Sequence, residues 1–199
     1  MLDKAKLPDF PSIRTAALRP VISYLERNDI RFGQALRKSK IKKSYLADPY
    51  HSLSLQSYIS FFEFCASSTQ NKTLGVQVGH DILPGDLGPA GILFSLSSTL
   101  WSGLRRTSGM IRTFQSHTLT DIEESADSIA WSYKIRDPNI WPRRQDSEYT
   151  LASMCQMVRN YFDKNWNPIE IHFEHDKMDG TEAVHNIFRC PIYYNMDMN

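Results

Sequence analysis

The chain has 199 residues, of which 41% are hydrophobic and 23% charged, and its formal net charge is +1. This length suits one globular domain that buries roughly 70% of its unfolded surface and needs no metal or disulfide to fold. The near-neutral charge excludes a global field that attracts nucleic acid or membrane. The N-terminus lacks the apolar core of a signal peptide, no run of about 18 apolar residues exists, and the cysteines form no C-x-x-C pair. We therefore expect a cytoplasmic protein with no membrane-spanning segment.

Helical periodicity dominates the first part of the chain. Residues 1–18 are polar with two prolines, and we expect them to form a flexible arm. Ser54 is placed to cap a helix in which apolar residues recur at i, i+3, i+4 and i+7. Thr99 is placed to cap a longer helix with Trp101 on its apolar face. Shorter helices are predicted at about residues 21–27, 32–38, 74–79 and 90–96.

The period changes to two in the second part of the chain. Ile129, Trp131, Tyr133 and Ile135 alternate with small or polar residues, which predicts a half-buried strand paired with residues 119–123. The sequence then predicts a helix at about residues 148–162 and a strand at about 169–175. A second helix is predicted from an Asp179–Glu182 capping pair to about residue 188, and a last strand follows at 192–195.

This order predicts an α+β fold, in which N-terminal helices precede a β-β-α-β-α-β small mixed sheet that helices cover. The domain is expected to span residues 19–199, with a helical part at 19–115 and a sheet-containing part at 116–199.

Three stretches carry a resemblance to a known family. They are T-L-G-V-Q-V-G-H at residues 73–80, P-A-G-I-L-F-S-L-S-S-T-L-W-S-G-L at 89–104, and W-N-P-I-E-I-H-F-E-H through F-R-C-P-I-Y-Y-N at 166–195. In this order they resemble the N-terminal effector-binding domain of AraC/XylS-type bacterial transcription regulators. The resemblance extends from about residue 20 to the last residue.

The resemblance implies a sensor domain that binds a small effector of unknown type and forms a homodimer. Family members carry two helix-turn-helix units after this domain, and we expect promoter DNA to be bound through that C-terminal domain, which is absent from this chain. Ligand binding would then shift the population between arrangements of the two domains. The alternative is a stand-alone small-molecule or protein-binding module without DNA-binding activity.

Several side chains are candidates for ligand binding. Aromatic residues on the inner face of the predicted strand suit a pocket between sheet and helices. An arginine next to an apolar helix face suits an anionic effector, and a histidine on an apolar strand face suits a polar contact. For each of them the alternative is core packing or a solvated surface. The candidates are Trp101, Arg105, Trp131, Tyr133, Phe173 and His175.

Two further surfaces are considered. The predicted helix 148–162 places Met157, Arg159 and Asn160 away from its apolar side, and we expect the dimer interface there. Residues 37–43 contain five Lys or Arg. Such a run is usually a solvated surface, and the alternative is contact with DNA phosphates in the intact regulator.

Catalysis has little support. The sequence contains no G-x-S-x-G elbow, H-E-x-x-H motif or Walker loop. His172 and His175 fall on opposite faces of a strand, so they cannot share a metal. An enzyme that uses His175 with Glu174 or Asp176 is disfavoured because Glu174 faces away from His175. We therefore expect no catalytic residue, no metal and no cofactor.

Overall fold

The computed structural model describes residues 10–199, and residues 1–9 of the expected arm lie outside the described residues. For residues 10–18 the prediction of a flexible arm is wrong. Ser12–Arg14 is a strand, β1, that pairs antiparallel with β2, Ser52–Ser54. A 3-10 helix follows at Thr15–Leu18. Its Leu18 and the preceding Ile13 are buried in the core, which explains why this segment is held in place.

The predicted N-terminal helices are confirmed. Tyr58, Phe61, Phe62 and Cys65 form the expected buried stripe. Ser54 precedes its helix but its side chain makes no capping hydrogen bond, whereas Thr99 Oγ1 accepts from Ser102 N at 3.1 Å. The helices are α1 Arg19–Arg27, α2 Gly33–Lys38, α3 Leu55–Thr69, α4 Leu74–His80, α5 Pro89–Ser95 and α6 Leu100–Phe114. Further 3-10 helices lie at Lys43–Ala47 and Pro84–Leu87.

The β-β-α-β-α-β order of the second part is also confirmed, and the fold is α+β. Strands β3 and β4 form the predicted hairpin; they are antiparallel, with Thr120 opposite Tyr133 and Ile122 opposite Trp131. Strands β5 and β6 are parallel and joined through a helix. The elements are β3 Thr118–Glu124, β4 Ile129–Ile135, α7 Arg144–Tyr161, β5 Ile171–His172, α8 Thr181–Phe188 and β6 Ile192–Tyr193.

The expected single mixed sheet is wrong, because the described strands form three separate two-stranded sheets. The outer edge of β4 is met by the last residue rather than by β5, since Tyr133 N donates to Asn199 O at 2.9 Å. The strand predicted at residues 169–175 is shorter in the structure, where only β5 is extended and paired. Ile169, the first residue of the predicted strand, is exposed.

The predicted capping pair at the start of α8 is also wrong. This helix follows Gly180, whose φ of 88° lies in the left-handed region. Asp179 instead accepts a hydrogen bond from Lys72 Nζ at 2.7 Å.

The close contact between α4 and α7 organises the main core. A Cβ placed on Gly75 would lie 2.1 Å from Gln145 O, and one on Gly79 would lie 2.5 Å from Tyr149 O. These two glycines therefore let the two helix backbones approach, which no larger residue would permit. The first family-like stretch, residues 73–80, thus has a packing role.

Candidate functional site

A cavity of about 390 Å³ lies between α6 and β3. The lining residues of α6 are spaced by four and three positions, so they share one face of that helix. The opposite wall comes from β3. The lining side chains are Trp101, Arg105 and Ser108 on α6 and Asp121, Ile122 and Glu124 on β3.

The cavity combines one cation, two carboxylates and an aromatic ring. The guanidinium of Arg105 lies over the Trp101 ring, 5.7 Å from its centroid, in a cation–π contact. Arg105 forms no ion pair with a carboxylate among residues 10–199, so its donors are free for a ligand. Ser108 Oγ lies 3.0 Å from Thr120 Oγ1, which ties the helix wall to the strand wall. Such a lining suits a polar ligand with both acceptor and donor groups.

Trp131 and Tyr133 are not among the side chains that line this cavity. They pair across the hairpin with Ile122 and Thr120, respectively. Trp131 Nε1 is 3.4 Å from Thr120 Oγ1, a weak contact. Tyr133 is buried; its hydroxyl donates to Asp146 Oδ2 at 2.8 Å and accepts from Gln115 Nε2 at 2.9 Å. Both aromatics therefore pair with the strand that forms one wall of the cavity without lining it themselves.

Phe173 and His175 lie in a different place, beside α7. Phe173 is fully buried and stacks on the His175 ring at 4.8 Å between centroids. His175 Nδ1 is 2.9 Å from Asp176 O, which fits donation by the ring to that carbonyl, and His175 Nε2 is 3.8 Å from Glu148 Oε1. Burial lowers the pKa of His175, which favours the neutral ring. These two predicted residues are not brought to the cavity.

The first turns of α7 form a buried polar cluster that sequence reasoning missed. Arg143 Nη2 lies 3.0 Å from the Glu174 carboxylate, and Arg144 Nε lies 2.6 Å from Glu148 Oε1. Burial raises the pKa of Asp146 and of Glu148 to about 7 in each case. The sequence signal was the i, i+4 spacing of Arg144 and Glu148, which favours a helix that starts before residue 148.

The expected exposure of the dimer residues is wrong for two of the three. Met157 and Arg159 are both 5% exposed, because α7 is covered by α4, α5 and α8. Met157 packs in a small apolar cluster with Phe94, and Arg159 Nη2 donates to Ile187 O at 2.8 Å. Asn160 is exposed, so its place in a dimer interface stays a prediction.

Between residues 10 and 199, no three His, Cys, Asp or Glu side chains are grouped so that they could hold a metal ion. Over the same stretch, no helix has the length and apolar character needed to cross a membrane.

The sequence and fold were compared with known proteins. Residues 30–199 match the family model described as the N-terminal arabinose-binding domain of the AraC transcription regulator. This match spans most of the chain, so the chain belongs to that family of regulator domains, as the three stretches indicated. No curated protein matches the sequence.

A solved structure has the same fold. It is the crystal structure of the transcriptional regulator CdpR from Pseudomonas aeruginosa, with a TM-score of 0.63 and 14% sequence identity. The similarity covers 90% of this chain and 51% of CdpR, so this chain spans about half the length of that regulator. At this identity the similarity shows the fold alone.

Proposed function

We propose that the chain is the effector-sensing and dimerisation domain of an AraC-type transcription regulator, and that the effector binds in the cavity between α6 and β3. The observation that carries the proposal is the placement of Trp101 and Arg105 on one wall of this cavity and of Asp121 and Glu124 on the other. Its volume of about 390 Å³ lies within the usual range of small-molecule sites.

The lining points to a class of effector. The unpaired guanidinium of Arg105 suits a carboxylate or phosphate, and the carboxylates of Asp121 and Glu124 suit hydroxyl or amine donors. The ring of Trp101 offers a flat apolar surface. A polar molecule such as an amino acid or a sugar acid fits this set better than a fatty acid does. The word arabinose in the family description does not by itself indicate arabinose as the effector.

In the proposed regulatory step, the effector acts on the two walls of the cavity. A ligand that touches both α6 and β3 stabilises one spacing of these elements, which shifts the population of conformers. Strand β3 is bonded to β4, and β4 is bonded through Tyr133 to Asn199. This path leads from the cavity to Asn199. In the proposal, promoter DNA is bound by a separate C-terminal domain, and Asn160 contributes to the dimer contact.

Ligand binding is tested by a thermal-shift screen of amino acids, sugar acids and sugar phosphates, followed by calorimetry on Arg105→Gln and Arg106→Gln. Arg105 lines the cavity and Arg106, its exposed neighbour, does not. Loss of a charge-assisted hydrogen bond, about 1.5 to 3 kcal/mol, predicts an affinity about 10 to 100 times weaker for Arg105→Gln. Arg106→Gln should bind like the wild type. Equal affinities of all three proteins would contradict the site.

The regulatory part of the proposal is tested in a protein that carries both the sensor and a DNA-binding domain. The effector from the screen is expected to change promoter affinity in a fluorescence anisotropy titration, and Arg105→Gln is expected to weaken that response. If a saturating concentration of effector does not change promoter affinity, the regulatory part of the proposal is contradicted, but the proposed binding site is not.

A further inference from the structure

A concentrated positive surface lies at the end of α2. We call it the basic turn, residues 37–43. Its five cationic side chains are all exposed, and none has a carboxylate within ion-pair distance among residues 10–199. The rest of the chain has the opposite balance, because removal of these five leaves 18 Lys and Arg against 22 Asp and Glu. The cations are Arg37, Lys38, Lys40, Lys42 and Lys43.

The backbone of the basic turn is fixed rather than loose. Ile41 N donates to Leu36 O at 2.9 Å, and Lys40 has a φ of 61°, which together form a helix-ending Schellman turn. Ile41 is buried beneath it, and Ser39 Oγ donates to Ala35 O at 2.8 Å. The buried Ser39 and Ile41 lie between exposed cations in the sequence. The backbone is therefore ordered, and the cationic side chains extend into solvent.

Folding requirements explain only part of this charge. Arg37 and Lys38 lie in the last turn of α2, where a cation interacts favourably with the helix dipole. Lys42 lies over the Tyr45 ring at 5.7 Å. Lys40 occupies a left-handed position where glycine would be less strained. A lysine at that position reduces stability, and no acidic group of residues 10–199 pairs with it.

We propose that the basic turn is a contact surface for the phosphate backbone of duplex DNA and supplies sequence-independent, salt-sensitive affinity. The inference rests on the proposed function, which places this domain next to promoter DNA. Five clustered cations without neutralising acids suit a linear polyanion. Ile41, the apolar residue of the turn, is buried, as is Leu36 just before it, so the turn presents no apolar side chain for insertion into a lipid surface.

The test uses the chain itself with a fluorescein-labelled duplex of about 30 base pairs and arbitrary sequence, in anisotropy titrations over a salt series. The turn variant carries Lys40→Gly, Lys42→Gln and Lys43→Gln; glycine relieves the left-handed position, so a lower Tm is not expected. The matched control carries Arg112→Gln, Lys164→Gln and Lys177→Gln. It loses the same net charge from scattered exposed sites.

The slope of log K against log salt is negative, and each lost phosphate contact reduces its magnitude by about 0.9, so this magnitude should be about 2 to 3 smaller in the turn variant. At the lowest salt its affinity should fall at least about tenfold, while the control should fall by less than about threefold. Equal losses in both variants would assign the binding to net charge and overturn the proposal. Absence of wild-type binding to the duplex would also overturn it.

Binding of the same proteins to lipid vesicles distinguishes a membrane partner from a DNA partner. Binding to phosphatidylserine-containing vesicles that the turn variant loses, with no change in duplex binding, would overturn the DNA assignment. Calorimetry with the effector on the same proteins keeps the two proposals apart. If the effector binds but the duplex does not, only the proposed DNA contact of the basic turn is overturned. If the duplex binds with the expected salt dependence but no effector is bound, only the proposed effector site is overturned.

Discussion

Tyr133 and Asp146 show how a polar tip on a core residue is used in this protein. Strand alternation correctly predicts that Tyr133 points inward, yet its hydroxyl is engaged by Asp146 and Gln115 rather than being free for a ligand. Asp146 is only 2% exposed. Burial raises the pKa of Asp146 to about 7, and the Tyr133 hydrogen bond and Arg143 partly oppose that shift. This carboxyl therefore titrates near neutral pH in the folded state.

Asp146→Asn is predicted to flatten the pH dependence of stability. Because the pKa of Asp146 is higher in the folded than in the unfolded state, the folded protein binds more protons between about pH 4 and pH 7. Stability from this group is therefore present at the acid end and is lost as the pH rises. The same sign applies to Glu148, whereas the lowered pKa of His175 acts in the opposite direction.

Urea denaturation of wild type and Asp146→Asn between about pH 5 and pH 8 isolates the aspartate, since the other two groups are common to both proteins. The difference in free energy of unfolding should change by at least about 1 kcal/mol over this range, to the relative benefit of the variant at high pH. Parallel curves would contradict the role of Asp146.

At the scale of elements, apolar periodicity predicts helices and strands that bury apolar faces. It succeeds for α3, whose stripe is apolar, and for the β3–β4 hairpin. It fails at the start of α7, where side chains from Arg143 to Glu148 are buried through ion pairs and hydrogen bonds that carry no apolar signal. Strand β1 is missed because three residues are too short to show a period.

In the candidate site, too, some residues could be predicted from the sequence and others could not. Trp101 and Arg105 share a helix face that could be predicted from their spacing. Asp121 and Glu124 could not be predicted as lining residues, because they come from a strand that meets α6 only through the tertiary fold. Phe173 and His175 were assigned by strand parity alone, which gives the face of a strand but not the element that covers it.

Gly75→Ala is predicted to separate α4 from α7. Its Cβ would lie 2.1 Å from the backbone oxygen of Gln145, which cannot rotate away. We expect the free energy of unfolding to fall by about 2 to 4 kcal/mol in chemical denaturation. Gly109→Ala is the matched control, since nothing lies within 4 Å of its Cβ in α6. The control should gain roughly 0.5 to 1 kcal/mol, as alanine favours a helix. Equal effects at both positions would contradict the close helix contact.

At the scale of the whole molecule, the three small sheets are joined through polar contacts rather than through one continuous ladder. Asn199 links two of these sheets, since its side chain contacts both the hairpin and the segment after β5. Asn199 Nδ2 donates to Tyr133 O at 3.3 Å and to Glu174 Oε2 at 3.0 Å. Asn199 Oδ1 accepts from Glu174 N at 3.1 Å. Asn199 is thereby fixed to β4.

Asn199→Ala is predicted to lower the free energy of unfolding by about 1 to 3 kcal/mol, because it leaves buried groups of Tyr133 and Glu174 without these partners. The control is Asn165→Ala, at an exposed position outside this network, which should change stability by less than about 0.5 kcal/mol. Chemical denaturation of both variants gives the comparison. A loss no larger for Asn199→Ala than for Asn165→Ala would show that the side chain of Asn199 does not join the sheets.

Effector binding between α6 and β3 is tested most directly by NMR of the tryptophan indoles during titration with the effector found in the screen. The four indoles are those of Trp101, Trp131, Trp141 and Trp166. Effector binding between α6 and β3 predicts a saturable shift of the Trp101 indole, with the dissociation constant measured by calorimetry, and little change at the exposed Trp141. A saturable shift at Trp141 or Trp166 with an unchanged Trp101 would contradict effector binding between α6 and β3.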